Sequence, residues 1–335
     1  MNKPFVSVVM TVFNGQDYVG ESIKSILSQT YIDFEFIIID DGSSDSSPQF
    51  ISSVKDSRIR FYRCEENLGV IHQLNYAFSL ATGKYIIKMD QDDISLFNRI
   101  ESQVEFMENN PAIGVSGSYV RLFGADHGLW KMPTVDADIK SALISGSPFC
   151  HSSVIFRKSL LVQHKMVYRL GFDLTDDYDL WTQLAKVTQF ANLNKCLLHY
   201  RISNNQVSIL KLDEQLKQKS LIRKRVLDEV FEITVKYFNE IFVNDNGISN
   251  YSKLELQMRL EIVGRISVEN KKKGLYDIPA FDRELGFYIL RLIVTNKKFW
   301  FSNLLWIYRN KFYLGWNLRM YFGLIKRILV QNIAN

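Results

Sequence analysis

The chain has 335 residues, 47% of them hydrophobic and 23% charged, with a formal net charge of +5. That balance excludes a disordered or fibrous chain and leaves one large globular domain, or one domain with an extension. The three cysteines, Cys64, Cys150 and Cys196, show neither paired nor zinc-type spacing, which excludes a disulfide scaffold and points to a reducing compartment.

Val6 to Phe13 is a β-branched, apolar run that predicts a buried strand, broken by Asn14-Gly15. With Asp17 and Glu21 close behind and no small-residue cleavage site, it reads as a strand and not as a secretory signal. Ile23, Ile26 and Leu27 then recur at helical spacing. Phe34 to Asp40 predicts a second buried strand, followed by turn chemistry in Asp40-Asp41-Gly42-Ser43-Ser44-Asp45. A helix over Ser46–Val54, a strand over Ile59–Arg63 and a turn at Glu66–Gly69 follow. Val70–Ala81 predicts a helix stopped by Gly83, and Tyr85–Met89 a short strand. Four strand–helix alternations argue for a parallel sheet with helices on both faces. Further on, the pattern predicts a helix over Asn98–Asn109 halted by Pro111, then strands over Ile113–Phe123 and Val154–Phe156. A helix starts at Leu180, and a last strand covers Leu197–Ile202. Long helices over Asp213–Asn239 and Lys253–Lys273 complete the pattern. No apolar run of about 18 residues occurs, so no standard transmembrane helix is expected.

The Tyr85–Met89 strand ends in three carboxylates, Asp90, Asp92 and Asp93. Clustered acids repel and are costly to desolvate. A divalent cation neutralises them, and oxygen ligands suit magnesium or manganese. Open α/β sheets bind ligands just beyond the carboxyl ends of their strands. The competing reading is a solvated loop that caps the next helix. A second acidic cluster, Asp176, Asp177 and Asp179, lies just ahead of the helix expected from Leu180.

Val6-Ser-Val-Val-Met-Thr-Val-Phe-Asn-Gly15, Ser25-Ile-Leu-Ser-Gln-Thr-Tyr31, Asp40-Asp-Gly-Ser-Ser-Asp45, Asn67-Leu-Gly69, Gly83-Lys-Tyr, Met89-Asp-Gln-Asp-Asp93 and Asp176-Asp-Tyr-Asp-Leu-Trp181 occur in one order. That order closely resembles the family 2 glycosyltransferases of the GT-A fold, over residues 4–208. The resemblance implies an α/β, Rossmann-like, mostly parallel sheet as catalytic domain over 1–208, with a C-terminal helical extension over 209–284. It implies inverting transfer of a sugar from a nucleotide-diphospho-sugar, a UDP-sugar first, to an acceptor hydroxyl. Nucleotide-sugar binding falls to Thr11, Val12, Asn14, Asp41, Asn67, Asp90, Gln91 and Asp92, with Asp41 taking the uracil N–H and Asp40 holding the turn. Asp92 is the expected ligand of Mn2+ or Mg2+. Asp177 is the expected base, and Asp176 stands where relatives carry Glu; the other reading of both is a cap on the helix beginning near Leu180. Asp93, His151, Trp181 and Arg201 fall on the acceptor side or behind the site. Asp93 is alternatively a helix cap, His151 a structural histidine and Trp181 a core residue. No histidine follows Tyr200-Arg201, which leaves a third protein ligand for the metal without a candidate; Arg201 or Asn205 is offered to the diphosphate instead.

Eight of the 41 basic residues and none of the 36 acidic ones lie from Leu285 to Asn335, where Trp300, Trp306 and Trp316 are interleaved. That composition predicts an amphipathic tail on an anionic membrane surface, with core packing or a dimer interface as the other reading. Nucleic acid is not an expected partner, because no nucleic-acid fold motif accompanies the basic residues. The expectation is therefore a cytoplasmic enzyme, peripheral at the inner face of the membrane. Its acceptor by family analogy is a lipid-linked saccharide of a bacterial surface polysaccharide such as O-antigen or capsule. The alternatives are a catalytically degenerate scaffold subunit or another metal-dependent nucleotide enzyme.

Overall fold

The computed structural model describes residues 4–203, 206, 210–231 and 252–295. The chain opens with β1 (Val6–Val12), α1 (Val19–Leu27), β2 (Phe34–Asp40), α2 (Ser47–Ser53), β3 (Ile59–Arg63), α3 (Val70–Leu80) and β4 (Tyr85–Met89). Every residue of β2 and of β4 is buried. Parallel strands covered on both faces read as continuous apolar runs, which is why these segments lack alternation. β1 pairs in parallel with β2 on one side and β4 on the other, and β2 pairs in parallel with β3. Val8, Met10, Phe36, Ile38, Ile87 and Met89 make the core with Ile23, Ile26 and Val104 from the helices.

The second half adds β5 (Ile94–Ser95), α4 (Arg99–Asn109), β6 (Ile113–Gly124), β7 (Gly128–Trp130), α5 (Asp136–Ala142), a 3-10 turn (His151–Ser153), β8 (Ile155–Arg157), α6 (Lys158–Gln163), α7 (Asp176–Leu184) and β9 (Gln189–Ile202). β8 lies antiparallel between β4 and β6, and β6 runs parallel to β9. The sheet order is β3-β2-β1-β4-β8-β6-β9-β5, with β7 paired to β6. After β1 the chain builds outward through β2 and β3, then returns to β4 on the other flank of β1. This reversal makes a crevice at the carboxyl ends of β1 and β4, the place where open α/β sheets hold ligands.

Two predicted elements differ in their bounds, and β5, β7, α5 and α6 have no predicted counterpart. α7 begins at Asp176, not Leu180, so its acids form the first helical turn, where the helix dipole favours negative charge. β9 begins at Gln189, eight residues before Leu197. Its register against β6 shifts between Ser118 and Tyr119, opposite Leu193 and Cys196. Asn194 and Lys195 fall in that shift and break the apolar pattern.

The chain divides into two compact units, residues 1–139 with 147–218, and residues 140–146 with the part from 219 onward. The division falls inside α8 (Leu212–Phe231). In the second unit, Ser252 and Glu255 form a reciprocal cap on α9 (Lys253–Lys273), and Gly274 closes it in the left-handed conformation. Asp282 of α10 (Ile278–Thr295) accepts a hydrogen bond from Ser267 at 2.6 Å and pairs with Lys271 at 2.9 Å. The basic, aromatic tail expected over 285–335 is described only to Thr295, and its remainder lies outside the described residues, as does the end of the helix expected over Asp213–Asn239. No helix among the described residues is long and apolar enough to cross a membrane.

Ile87 is fully buried on the central strand, whereas Ile32 is 77% exposed. Ile87→Ala should cost about 2–5 kcal/mol of stability, and Ile32→Ala less than about 0.5 kcal/mol. Thermal melts of the two variants check both figures.

Candidate active site

The loop after β1 and the loop after β2 are zipped together by hydrogen bonds. Asn14 adopts a left-handed conformation, φ 47°, which asparagine tolerates better than most residues. Its N–H donates to Ser43 Oγ at 2.9 Å, and its Oδ1 accepts from the Ser44 N–H at 3.0 Å. The Gly15 and Gln16 N–H groups donate to Ser47 Oγ and Asp45 Oδ2, each at 2.9 Å. Gln91 then ties the β4 loop to this pair. Its Oε1 accepts the Phe13 N–H at 2.9 Å, and its Nε2 donates to the Phe13 C=O at 3.1 Å. Gly15 permits this clasp, because a Cβ there would sit 2.6 Å from Gln91 Oε1.

Asp41 is buried and accepts the Leu68 and Gly69 N–H groups, each at 2.9 Å, and the Gln73 amide. A carboxylate has about four acceptor positions, so one remains open. Asn67 stands exposed on the turn that Asp41 fastens. Asp40 accepts the Ser43 N–H at 3.3 Å through one oxygen, and its other, buried oxygen meets no donor. Thr11 is half-buried and Val12 buried at the mouth of β1.

At the end of β4 the acids are held from below. Lys88 is fully buried in the strand, and its ammonium pairs with Asp90 Oδ1. Burial first, then the charge of Asp90, pushes Asp92 up to about 6. Asp92 makes no ion pair among the described residues. Asp93 accepts the Ser152 hydroxyl and the Arg201 N–H, and burial with the charges of Asp90 and Asp92 raises it well above the carboxylate range. It does not cap the next helix, which begins after Asn98. Arg201 acts as a strut. Its guanidinium donates to the Asp92 C=O at 2.8 Å and to Glu21 at 2.7 Å, between the rings of Tyr18 and Phe123. Asn205 lies outside the described residues.

The 3-10 turn joins the second acidic cluster to the first: Ser152 donates to Asp93, and the neighbouring His151 lies beside Asp176. Asp177 accepts the Ser147 hydroxyl at 2.9 Å, and Ser147 accepts the Trp181 indole N–H at 3.1 Å. Trp181 is fully buried and stacks on Phe156. Burial and the charge of Asp177 push Asp176 up to about 8. Its buried Oδ2 has no hydrogen-bond partner and lies 3.8 Å from His151 Nδ1. His151 is held neutral by burial, and its Nε2 bonds the Tyr168 hydroxyl at 2.8 Å. Burial works against the Lys88 ammonium, and its pairing with Asp90 together with the charges of Asp176 and Asp93 outweighs it. Sequence reasoning passed over Lys88, Gln73, Ser147 and Tyr168. The signal for Lys88 was a charge inside an apolar strand, two residues before Asp90 and therefore on the same face.

The glycosyl transferase family 2 profile matches residues 7–165. An uncharacterised glycosyltransferase of Haemophilus influenzae is 31% identical over 268 residues, 76% of this chain and 81% of its own length. The chain belongs to family 2 of the glycosyltransferases. A UDP-Glc:alpha-D-GlcNAc-diphosphoundecaprenol beta-1,3-glucosyltransferase of Escherichia coli, WfaP, is 28% identical over 65% of this chain and 85% of its own. The mannosyltransferase PcManGT of Pyrobaculum calidifontis, solved with GDP-Man and Mn2+, shares the fold at a TM-score of 0.55 and 16% identity, covering 89% of this chain and 88% of its own.

The acid set of this glycosyltransferase fits a divalent cation. Asp92 is an oxygen donor that lacks a paired cation, and magnesium-type ions take one or two carboxylates and complete their shell with substrate phosphates and water. Among the described residues, no three His, Cys, Asp or Glu side chains stand as a ready-made cage.

Asp176 is protonated in the folded chain and ionised in the unfolded one between about pH 4 and its folded value of about 8. The unfolded state binds fewer protons in that window, so stability falls as pH rises through it. Asp176→Asn should therefore melt above the unaltered protein at pH 8, and the difference should vanish near pH 4 in metal-free melts.

Proposed function

We propose that this family 2 enzyme transfers a sugar with inversion from a UDP-sugar to an acceptor hydroxyl, with a divalent metal at Asp92. The observation that carries the reading is that the 3-10 turn His151–Ser153 joins the Asp90–Asp93 loop, through Ser152 and Asp93, to the Asp176–Asp177 helix start, through His151 and Asp176. Asp41, with one acceptor position open beside Thr11 and Val12, takes the uracil N–H. Asn14 and Gln91 hold the floor of the nucleoside pocket, and Asn67 flanks it. Asp90 lies nearest the ribose. The metal, Mn2+ or Mg2+, neutralises charge on the departing diphosphate when bound. Asp177 accepts the proton of the attacking hydroxyl as the new bond to the anomeric carbon forms and the bond to the diphosphate oxygen breaks. Ser147 and Trp181 orient that carboxylate. His151 and Asp176 line the sugar or acceptor side, while Asp93 and Arg201 keep the Asp92 loop in place.

The catalytic part in this reading is residues 1–208, with 209–284 as an extension. The acceptor is a lipid-linked saccharide, as the name of the Escherichia coli relative states for that enzyme. The basic, aromatic segment 285–335 serves as the contact with an anionic membrane surface at its cytoplasmic side.

Calorimetry of UDP binding with and without Mn2+, with GDP and ADP as controls, tests the donor class. Metal-dependent preference for UDP is expected, and preference for GDP overturns the choice of donor. Asp177→Asn should lower turnover by about 100-fold or more while UDP affinity stays within about threefold. Asp92→Ala should weaken UDP binding in Mn2+ and leave metal-free binding unchanged.

A further inference from the structure

Lys88 is the residue of the central strand that the proposed chemistry leaves unexplained. It is 3% exposed, its backbone lies between Val9 of β1 and the Val154 C=O, and every other residue of β4 is apolar or aromatic. An ammonium buried there is costly without a paired anion, and a strand selected for packing alone would carry Leu or Met. Its long side chain instead runs along the strand face to Asp90 Oδ1. Asp176, 88 positions away in the sequence, joins the same cluster through the 3-10 turn, where Ser152 donates to Asp93 and His151 Nδ1 lies 3.8 Å from Asp176 Oδ2. Arg99, also fully buried, fixes the Lys88 C=O at 2.9 Å and so holds the backbone from which this side chain departs.

We propose that Lys88 is a positioning residue for sugar transfer, a tethered cation that fixes the Asp90 carboxylate and holds the Asp-x-Asp loop and the Asp176–Asp177 helix start at one separation. Asp90 is thereby neutralised by the protein itself, and Asp92 is left to take the metal. The separation matters because the base and the departing diphosphate act on opposite sides of one anomeric carbon, and displacement by about 1 Å costs about 100-fold in rate. A cation beside the metal site also repels the metal, so removing it should not weaken metal binding.

The inference rests on the transferase reading, and the experiment separates the two. Lys88→Met, Lys88→Arg and Asp90→Asn are each compared with the unaltered chain by metal-free thermal melt, by calorimetry of UDP with Mn2+, and by UDP release from UDP-glucose and UDP-N-acetylglucosamine. Lys88→Met should keep or tighten UDP–Mn2+ affinity and lower the rate of UDP release about 100-fold. Lys88→Arg, which keeps the charge, should recover to within about tenfold of the unaltered rate. Asp90→Asn should lower the rate of UDP release as Lys88→Met does, with a weaker UDP affinity of its own from the lost ribose contact. An unchanged rate in Lys88→Met overturns the proposal. So does parallel loss of melting temperature, affinity and rate, or failure of both Lys88→Met and Lys88→Gln to fold, since each assigns Lys88 to stability alone. Loss of metal dependence in Asp90→Asn, as expected of Asp92→Ala, makes Asp90 a ligand and also overturns it. Absence of nucleotide binding in the unaltered chain overturns the transferase reading itself.

Discussion

The arrangement depends on repulsion among carboxylates gathered at the carboxyl end of a buried strand. Asp90, Asp92 and Asp93 follow β4, Asp176 and Asp177 open α7, and several of them are partly or wholly removed from water. Left alone, such a set would splay apart or take up protons. Burial first, and then the neighbouring carboxylates, raise the pKa values of Asp92, Asp93 and Asp176. The fold answers it with buried cations below, a helix N-terminus at one side and backbone N–H groups at the rim.

Each answer comes from a different stretch of chain. Lys88 and Arg99 sit beneath the Asp90–Asp93 loop, on β4 and at the start of α4. Arg201, near the end of β9, ties the same loop to α1 through Glu21. Ser22 of α1 donates to the Asp93 C=O at 2.6 Å and fixes the loop's path from the other side. The first turn of α7 presents its acids where the helix dipole favours them. The half that faces the nucleoside uses a quieter device: side-chain oxygens of Ser43, Ser47, Asp45 and Asn14 satisfy the amides of two adjoining loops. Loops secured in this way carry fixed open positions, such as the remaining acceptor site on Asp41, without needing a ligand to order them.

His151 and Tyr168 link the acids to the aromatic core: His151 lies beside Asp176 and packs edge-on to Trp181, and Tyr168 packs edge-on to Phe78. Tyr168 is anchored through its backbone to Asn75 of α3, with contacts of 2.8 and 2.9 Å. The segment between α6 and α7 is therefore held to the first half of the chain, and the acids at the start of α7 inherit a defined place. Trp181, Phe149 and Phe156 fill the space behind. The buried Oδ2 of Asp176 has no hydrogen-bond donor.

The first four strands, their order in the chain and both acid clusters were legible in the amino-acid sequence, because parallel buried strands need unbroken apolar runs and the acids interrupt them. So was the family, through motifs in one order. The sequence misplaced the start of α7, because acids at a helix N-terminus look like loop residues until the dipole that favours them is present. It shortened β9, because polar residues at a register shift conceal a strand whose pairing is long-range. Only the tertiary structure decided that Asp93 is held by Ser152 and Arg201, that Gln91 clasps Phe13 and that Lys88 lies buried among the carboxylates. Hydrogen bonds and ion pairs between segments tens of residues apart have no local signature. They exist once the sheet has brought those segments within a few ångströms, and that approach is set by packing, which periodicity along the chain does not encode.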